Sequence, residues 1–154
     1  MKINGKIRFA VPTDIPQIIE LCHLHAIYER DEYKIEGKER QLSIDLFSQL
    51  PKLYCLVIER EGVLLGYATY MKQYATWDAC EYIYMDCLFI REFARGLGFG
   101  EKLIDIIKLE AQQLGCAIIQ WQTPDFNTRA MKFYKRIGAT SKSKERYFLN
   151  SVIK

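Results

Sequence analysis

The sequence predicts an α/β fold in which helices flank a mixed β-sheet. Three observations support this class. The apolar residues switch between a helical and an alternating period, a central strand–helix–strand passage implies a parallel crossover, and 154 residues of which 49% are hydrophobic can bury a core. Because no linker or repeat interrupts the pattern, we expect a single domain over residues 1–154.

The first third of the chain predicts one strand followed by two helices. Residues 6–10 alternate between polar and apolar side chains, and apolar residues at helical spacing then extend from Ile15 to about Tyr28. The highly charged stretch 29–40 predicts a loop or a frayed helix. A second, weaker helix is predicted at 43–50, where a proline follows.

The rest of the chain predicts the sheet and its crossover. Strands are expected at 53–59, 63–70 and 80–90, a helix at 98–114, a strand at 117–121, a helix at 128–137 and a final strand at 147–149. The complete order is β α α β β β α β α β. In an open sheet of this kind ligands bind at a switch in strand order, so we expect a site next to the crossover.

The composition argues against several classes of protein. The five cysteines are widely spaced and form no C-x-x-C pair, so we expect no metal site and no redox motif, only reduced, buried thiols. No apolar stretch reaches the roughly 20 residues that cross a bilayer, and the N-terminus lacks the apolar core of a signal peptide. We therefore expect a cytoplasmic protein that binds no membrane.

Charge is unevenly distributed along the chain. The net charge is +3, yet residues 131–154 carry seven Lys/Arg against one acid, which places +6 on this segment and −3 on the remainder. The asymmetry predicts a polyanionic ligand at one end and a neutral or cationic ligand at the other. A net charge this small gives no reason to expect nucleic-acid binding.

A glycine-rich turn joins the strand at 80–90 to the helix at 98–114. It reads Arg95-Gly96-Leu97-Gly98-Phe99-Gly100, and glycines let backbone N–H groups approach an anion closely at the start of a helix. The spacing matches neither the dinucleotide-binding G-x-G-x-x-G pattern nor a P-loop. Two interpretations stay open: a phosphate-binding turn, and a turn that only connects the two elements.

The segment from Asn127 to Ala139 predicts a capped helix that carries an aromatic pair. Asn127 is a helix-capping residue, and Phe133 and Tyr134 follow Ala130 at i+3 and i+4. We expect Phe133 in the core. The hydroxyl of Tyr134 needs a partner or access to solvent if its ring is buried.

Together the two motifs resemble the GNAT superfamily of acyl-CoA-dependent N-acyltransferases, and the order of elements is also that of the family. The matching pattern is Arg95-x-x-Gly98-x-Gly100 followed by Asn127-x-x-Ala130-x-x-Phe133-Tyr134-x-x-x-Gly138-Ala139. Within the family, the chain resembles the diamine (spermidine/spermine) N-acetyltransferases at Tyr28-Glu29, Trp77 and Phe133-Tyr134-Lys135-Arg136.

The resemblance implies a site for acetyl-CoA as co-substrate, without a metal. The strand that ends at Ile90 and the strand at 117–121 would splay apart around the pantetheine arm, and the amides of 95–100 would hold the pyrophosphate. A backbone N–H near Cys87 or Leu88 would stabilise the oxyanion. The residues implied in cofactor binding are Leu88, Ile90, Arg95, Gly96, Gly98, Gly100, Asn127, Lys135 and Arg136.

Acetyl transfer to an amine also needs acid and base groups. An alkylamine has a pKa near 10.4 and arrives protonated, so a carboxylate near it is required. Asp86, inside an apolar strand, would bind the ammonium or take its proton through water, although pairing with backbone donors or exposure to solvent explains it equally well. The resemblance places Glu29 and Trp77 at the acceptor site, with a merely solvated face as the alternative for Glu29, and makes Tyr134 the general acid for the leaving thiolate.

Three other polar residues are expected outside the site. His23 and His25 lie two residues apart on the first predicted helix, so they face different directions, and we expect surface or packing roles for both. Glu81 precedes Asp86 by five residues, which places the two on opposite faces of the strand unless a bulge intervenes.

The predicted function is transfer of the acetyl group of acetyl-CoA to a primary amine of a small molecule, such as a polyamine or diamine, by direct attack in a ternary complex. Two alternatives stay open: a protein or peptide N-acetyltransferase, and a non-catalytic acyl-CoA-binding sensor. A homodimer is also consistent with the sequence, because sheet edges near the C-terminus invite pairing.

Overall fold

The computed structural model describes residues 4–152, and these form an α/β structure of the predicted class. In chain order the elements are β1 (Lys6–Phe9), α1 (Ile15–Tyr28), α2 (Lys38–Phe47), β2 (Tyr54–Arg60), β3 (Val63–Ala75), β4 (Cys80–Ile90), α3 (Phe99–Gln113), β5 (Ile119–Gln120) and α4 (Thr128–Arg136). Short 3-10 turns precede α1 and α3. The chain divides into two compact units, the first ending at Gln122 and the second beginning at Thr123.

The first unit contains a five-stranded mixed sheet in the order β1-β2-β3-β4-β5. Strands β1 to β4 are antiparallel neighbours, whereas β5 runs parallel to β4. Parallel neighbours need a crossover, and α3 supplies it, which confirms the predicted strand–helix–strand passage.

Two groups of apolar side chains cover the sheet. Ile18 and Leu21 of α1 are almost completely buried in one cluster, together with Val57 of β2. Helix α3 buries Leu103 and Ile107 completely and contacts β4. These helices therefore hold β4, the strand that carries the candidate site, from both sides.

The start of α1 is fixed to the sheet by a buried carboxylate. Asp14 is 5% exposed, and its side chain accepts hydrogen bonds from the Val11 N–H at 2.8 Å and from Arg8 Nη1 at 2.7 Å. Arg8 also reaches Glu59 of β2 with Nε, at 2.8 Å. The hydrogen bond from Arg8 lowers the pKa of Asp14, and burial opposes this effect.

Replacing Asp14 with asparagine is expected to lower the free energy of unfolding at pH 7 by about 1–3 kcal/mol, because a hydrogen bond to a charged group is lost. Since the folded-state pKa of Asp14 lies below the unfolded value of about 3.9, the contribution is complete above that pH and disappears as the pH falls further. Urea unfolding at pH 7 and pH 3 measures the difference. A loss of equal size at both pH values would contradict the ion-pair explanation, and D105N, in an exposed pair with Lys108, is the control.

Several boundaries differ from the predicted ones. Helix α2 begins at Lys38 rather than 43. The sequence did not predict its first turn, because that turn is exposed and has no apolar residues at helical spacing. Strand β3 continues to Ala75, and β5 is only two residues long. The final strand predicted at 147–149 is wrong for the described structure: its three side chains are 79–97% exposed and no ladder pairs with them.

Two expectations from composition have structural outcomes. Among residues 4–152, no helix combines the length and the apolar character that crossing a membrane requires. All five cysteines are free thiols; Cys55 and Cys116 are buried as expected, whereas Cys80 is exposed because it begins β4 at the end of the β3–β4 hairpin.

Candidate active site

A β-bulge places Asp86 at an irregularity in β4. Met85 lies opposite Tyr70 of β3, and Cys87 lies opposite Thr69, so Asp86 has no residue opposite it. Because Thr69 and Tyr70 are consecutive and point to opposite faces, the bulge also reverses the faces that β4 presents. Asp86 is exposed, and its Oδ2 lies 3.8 Å from the sulfur of Cys87. Its carboxylate is thus open to solvent, which fits both a ligand-binding role and the alternative of a merely solvated side chain.

Beyond the bulge, β4 has a free edge. Among residues 4–152, the β4 residues that pair with β5 are Ile83 and Tyr84, so the ladder between the two parallel strands ends at that point. The Arg91 N–H donates to Leu65 of β3, whereas the Ile90 carbonyl accepts from the Arg95 side chain, so the Ile90 backbone points away from β3. By alternation the backbone of Leu88 also points to this free edge.

The glycine-rich turn presents a row of free amides next to that edge. Within the described residues, the N–H groups of 96–101 donate to no backbone carbonyl. Gly96 and Gly98 have φ values of +76° and +85°, and a Cβ at Gly98 would have no neighbour within 4 Å, so glycine is needed here for conformation rather than for space. The amides open the 15-residue α3, where its dipole favours an anion.

Arg95 is held at the beginning of this turn. Its Nε donates to the Ile90 carbonyl at 2.7 Å, and its guanidinium carbon lies 4.5 Å from the ring centroid of Tyr28 and 5.2 Å from that of Phe89. The hydrogen bond and the two rings orient the side chain, so Arg95 brings a fixed positive charge to the free amides.

On the α1 face of the sheet, Glu29 belongs to a polar cluster. His25 Nε2 forms an ion pair with Glu29 Oε2 at 2.5 Å, and His25 Nδ1 lies 3.0 Å from the hydroxyl of Tyr67. The imidazole also stacks on Phe89, with ring centroids 5.2 Å apart. Burial lowers the pKa of His25, but interactions with Cys87 and Glu29 outweigh it and raise the pKa to about 9.

Two thiols and two phenols complete this cluster. Burial raises the pKa of the Cys22 thiol, hydrogen bonds with Tyr67 and Tyr33 oppose the rise, and the charge of Asp86 adds to it. Burial raises the pKa of Tyr33 to about 12 and that of Tyr67 well above its usual value. The two groups of this cluster that interact with Asp86 are thus the thiols of Cys87 and Cys22.

Trp77 does not join these residues. It lies in the turn between β3 and β4, and its side chain is 99% exposed. Glu81, near the same end of the hairpin, pairs with Lys72 at 3.4 Å. The role of Trp77 in acceptor binding stays a prediction.

The second unit contains the predicted general acid on α4. The Asn127 side chain accepts from the Ala130 N–H at 3.4 Å and donates to Thr123 at 3.2 Å, which confirms it as the cap of α4. Tyr134 is half-buried, and its ring lies 5.3 Å from that of Phe133. Phe133 is also only half-buried, although it was expected in the core, because α4 buries no residue completely. Lys135 and Arg136 are exposed.

Comparison with known proteins identifies the family. Residues 18–139 match the acetyltransferase (GNAT) family, which is most of the chain. The chain belongs to the GNAT acetyltransferase family. It is therefore an acyl-CoA-dependent acetyltransferase, and the resemblance in its two motifs is confirmed.

Individual relatives of this GNAT protein act on amines. The thialysine N-epsilon-acetyltransferase of Bos taurus is 31% identical, and the match covers 86% of this chain and 82% of the relative. The human spermidine/spermine N(1)-acetyltransferase-like protein 1 is 24% identical over 91% of this chain and 21% of its own length. Among solved structures, an aminoglycoside acetyltransferase from an uncultured soil sample has a TM-score of 0.77 at 21% identity, covering 97% of each chain, and shows the shared fold.

The GNAT co-substrate acetyl-CoA fits the residues present. Its pantetheine carries amides that can pair with the free edge of β4, and its pyrophosphate suits the free amides of 96–101 and the guanidinium of Arg95. Within residues 4–152, no three His, Cys, Asp or Glu side chains are arranged to hold a metal ion.

His25 is the site residue that the sequence analysis missed. It was expected on the surface or in packing, yet its side chain is 14% exposed and holds Glu29. The available signal was local, because His25 and Glu29 are spaced i, i+4 on the same helix face. Its contacts with Tyr67 and Phe89 depend on the sheet and have no local signal.

Proposed function

We propose that this GNAT enzyme transfers the acetyl group of acetyl-CoA to a primary amine of a small molecule, by direct attack in a ternary complex. The observation that carries the proposal is the free edge of β4, which begins at the exposed carboxylate of Asp86 and ends at the free amides of 96–101. One strand thus offers an amine-binding group and a cofactor-binding surface in sequence.

The first unit supplies binding and orientation. The amides of 96–101 and Arg95 would hold the pyrophosphate, and the backbone of Leu88 and Ile90 would hold the pantetheine arm, which supplies the thioester. The Leu88 N–H would donate to the carbonyl oxygen as negative charge develops on it. Asp86 would bind the ammonium and receive its proton, directly or through water.

The second unit supplies the acid. By its place in the family motif, Tyr134 donates its phenolic proton to the leaving thiolate. A phenol near pKa 10 is only modestly less acidic than a thiol near 8.5, so the transfer is slightly uphill and is offset by proximity. Asn127 would place the start of α4, and the exposed Lys135 and Arg136 would attract the phosphates of the adenosine moiety.

The relatives support a small amine as the acceptor. One is named for acetylation of a side-chain amine of an amino acid analogue and another for spermidine and spermine, so amino acids with side-chain amines and polyamines are both candidate acceptors. The carboxylate of Asp86 suits the ammonium group of a cationic molecule of either kind, and Glu29, which is paired with His25, stays a predicted acceptor-binding residue. A single-domain architecture, a homodimer and a cytoplasmic location stay predictions.

Purified protein is expected to release CoA thiol from acetyl-CoA when a primary amine of this class is added, and to yield one N-acetyl group per thiol released. The measurement is thiol detection over a panel of polyamines, diamines, amino acids and peptides, with mass spectrometry of the products. Acetylation of peptides alone would favour the protein N-acetyltransferase. Calorimetric binding of acetyl-CoA with no thiol release across the panel would favour the sensor and contradict the proposal.

A further inference from the structure

The ion pair between His25 and Glu29 neutralises one of the two carboxylates, Glu29 and Asp86, of the proposed acceptor site. The imidazole has an oxygen at each nitrogen, the Glu29 carboxylate at Nε2 and the Tyr67 hydroxyl at Nδ1. A carboxylate can only accept, so Nε2 donates to Glu29, whereas the phenol can donate or accept; the raised pKa of His25, about 9, means that the ring carries both protons at neutral pH. The pair therefore contributes no net charge.

The surroundings of His25 contain no second carboxylate for it to bind. Tyr67 faces it from β3, Cys87 and Phe89 from β4, and Cys22 lies near on its own helix. The other cation beside Phe89 is Arg95, whose Nε is bound to the Ile90 carbonyl in the phosphate turn. Glu29 is thus the carboxylate that His25 binds, and the Cys87 thiol is a further polar neighbour of the imidazole.

Asp86, by contrast, has no cationic partner. Within residues 4–152, no Lys, Arg or His nitrogen lies within ion-pair distance of its carboxylate, and its recorded contact is the Cys87 thiol. The same thiol interacts with His25, so Asp86, Cys87, His25 and Glu29 form one continuous group. Within that group His25 balances the charge of Glu29, whereas no cation balances the charge of Asp86.

We propose that His25 is a specificity-determining residue that limits the acceptor site to one uncompensated carboxylate and so weakens the selection for amines of net charge +2 over those of net charge +1. The inference rests on the proposed function and deepens it. An amino acid with a side-chain amine has net charge +1 at neutral pH, because its carboxylate cancels one of its two ammonium groups. The diamine that lacks this carboxylate has net charge +2, and its second charge gains little from a neutralised Glu29.

Ornithine and 1,4-diaminobutane form a matched pair of probes, because they differ only by that carboxylate. The quantity measured is the ratio of kcat/KM for the diamine to kcat/KM for ornithine. H25Q is expected to raise this ratio roughly 3- to 10-fold, the factor that one unit charge at roughly 8 Å produces where the effective dielectric constant is about 60 to 30, between that of water and that of a protein surface. H23Q replaces the other, exposed histidine of α1 and is expected to change the ratio less than about 2-fold.

A double-mutant cycle separates charge from mere packing. E29Q removes the carboxylate whose charge His25 neutralises. In that background H25Q is expected to change the ratio of kcat/KM values by less than about 2-fold. NMR titration of the His25 imidazole adds a readout independent of activity: its midpoint near pH 9 should fall in E29Q, because one of the two interactions that raise its pKa is lost while that with Cys87 remains.

The outcomes distinguish failure of this inference from failure of the proposed function. Turnover with an unchanged ratio in H25Q, or an equal change with and without Glu29, would overturn the role of His25 and leave the proposed function intact. If no amine of the panel is acetylated, the proposed function fails and this inference fails with it.

Discussion

Replacing Tyr134 with phenylalanine is expected to lower kcat by about 10²- to 10⁴-fold, the usual contribution of a positioned general acid. The reason is that the leaving thiolate loses its proton donor, whereas the ring that packs beside Phe133 is retained. The KM for acetyl-CoA should change little, because the amides and Arg95 that would hold the pyrophosphate are untouched. Steady-state kinetics by thiol detection measures both quantities.

The matched control for this variant is Y147F. Tyr147 lies in the same unit and is 89% exposed, so loss of its hydroxyl should leave kcat within about 2-fold. An acetyl-CoA analogue with a more acidic leaving thiol should raise the rate of Y134F and leave that of the wild type nearly unchanged, because such a thiol leaves as the thiolate without a proton donor. Unchanged kcat in Y134F would remove Tyr134 from the mechanism.

The fold was predictable where a local pattern decides it. Strand β4 has the predicted bounds, and α3 differs from the prediction by one residue at each end, because an apolar run and an amphipathic stripe mark them clearly. The start of α2 carries no such stripe. Residues 147–149 have strand-type side chains, but a strand exists only with a ladder partner, which is not a local property.

The candidate site was predictable to the same extent. The glycines of the glycine-rich turn and the cap at Asn127 follow from local backbone requirements; Gly96 and Gly98 have positive φ, and Asn127 caps α4. The bulge at Asp86 arises from the pairing of two strands, so the sequence could name a bulge in β4 only as a possibility. His25 was missed because its environment is assembled from α1, β3 and β4.

Replacing Asp86 with asparagine is expected to lower kcat/KM for the amine by about 10- to 100-fold, the range that corresponds to losing a hydrogen bond to a charged group worth roughly 1.5–3 kcal/mol. Asparagine keeps the size and shape of the side chain at the bulge, so the path of β4 should be retained. The KM for acetyl-CoA should stay within about 2-fold, since the substitution leaves the free amides of 96–101 unchanged and the end of β4 and a 3-10 turn separate them from Asp86 along the chain. Kinetics with the best amine of the panel, at saturating acetyl-CoA, gives the comparison.

The variation of the rate with pH then decides what Asp86 does. If it only binds the ammonium, D86N raises KM for the amine and leaves kcat unchanged, whereas loss of a proton acceptor lowers kcat and makes it rise with pH as free amine accumulates. E81Q is the matched control, because Glu81 is an exposed carboxylate of the same strand, already paired with Lys72, on the other side of the bulge. Equal losses in D86N and E81Q would show that general negative charge along β4, and not the carboxylate at the bulge, attracts the amine.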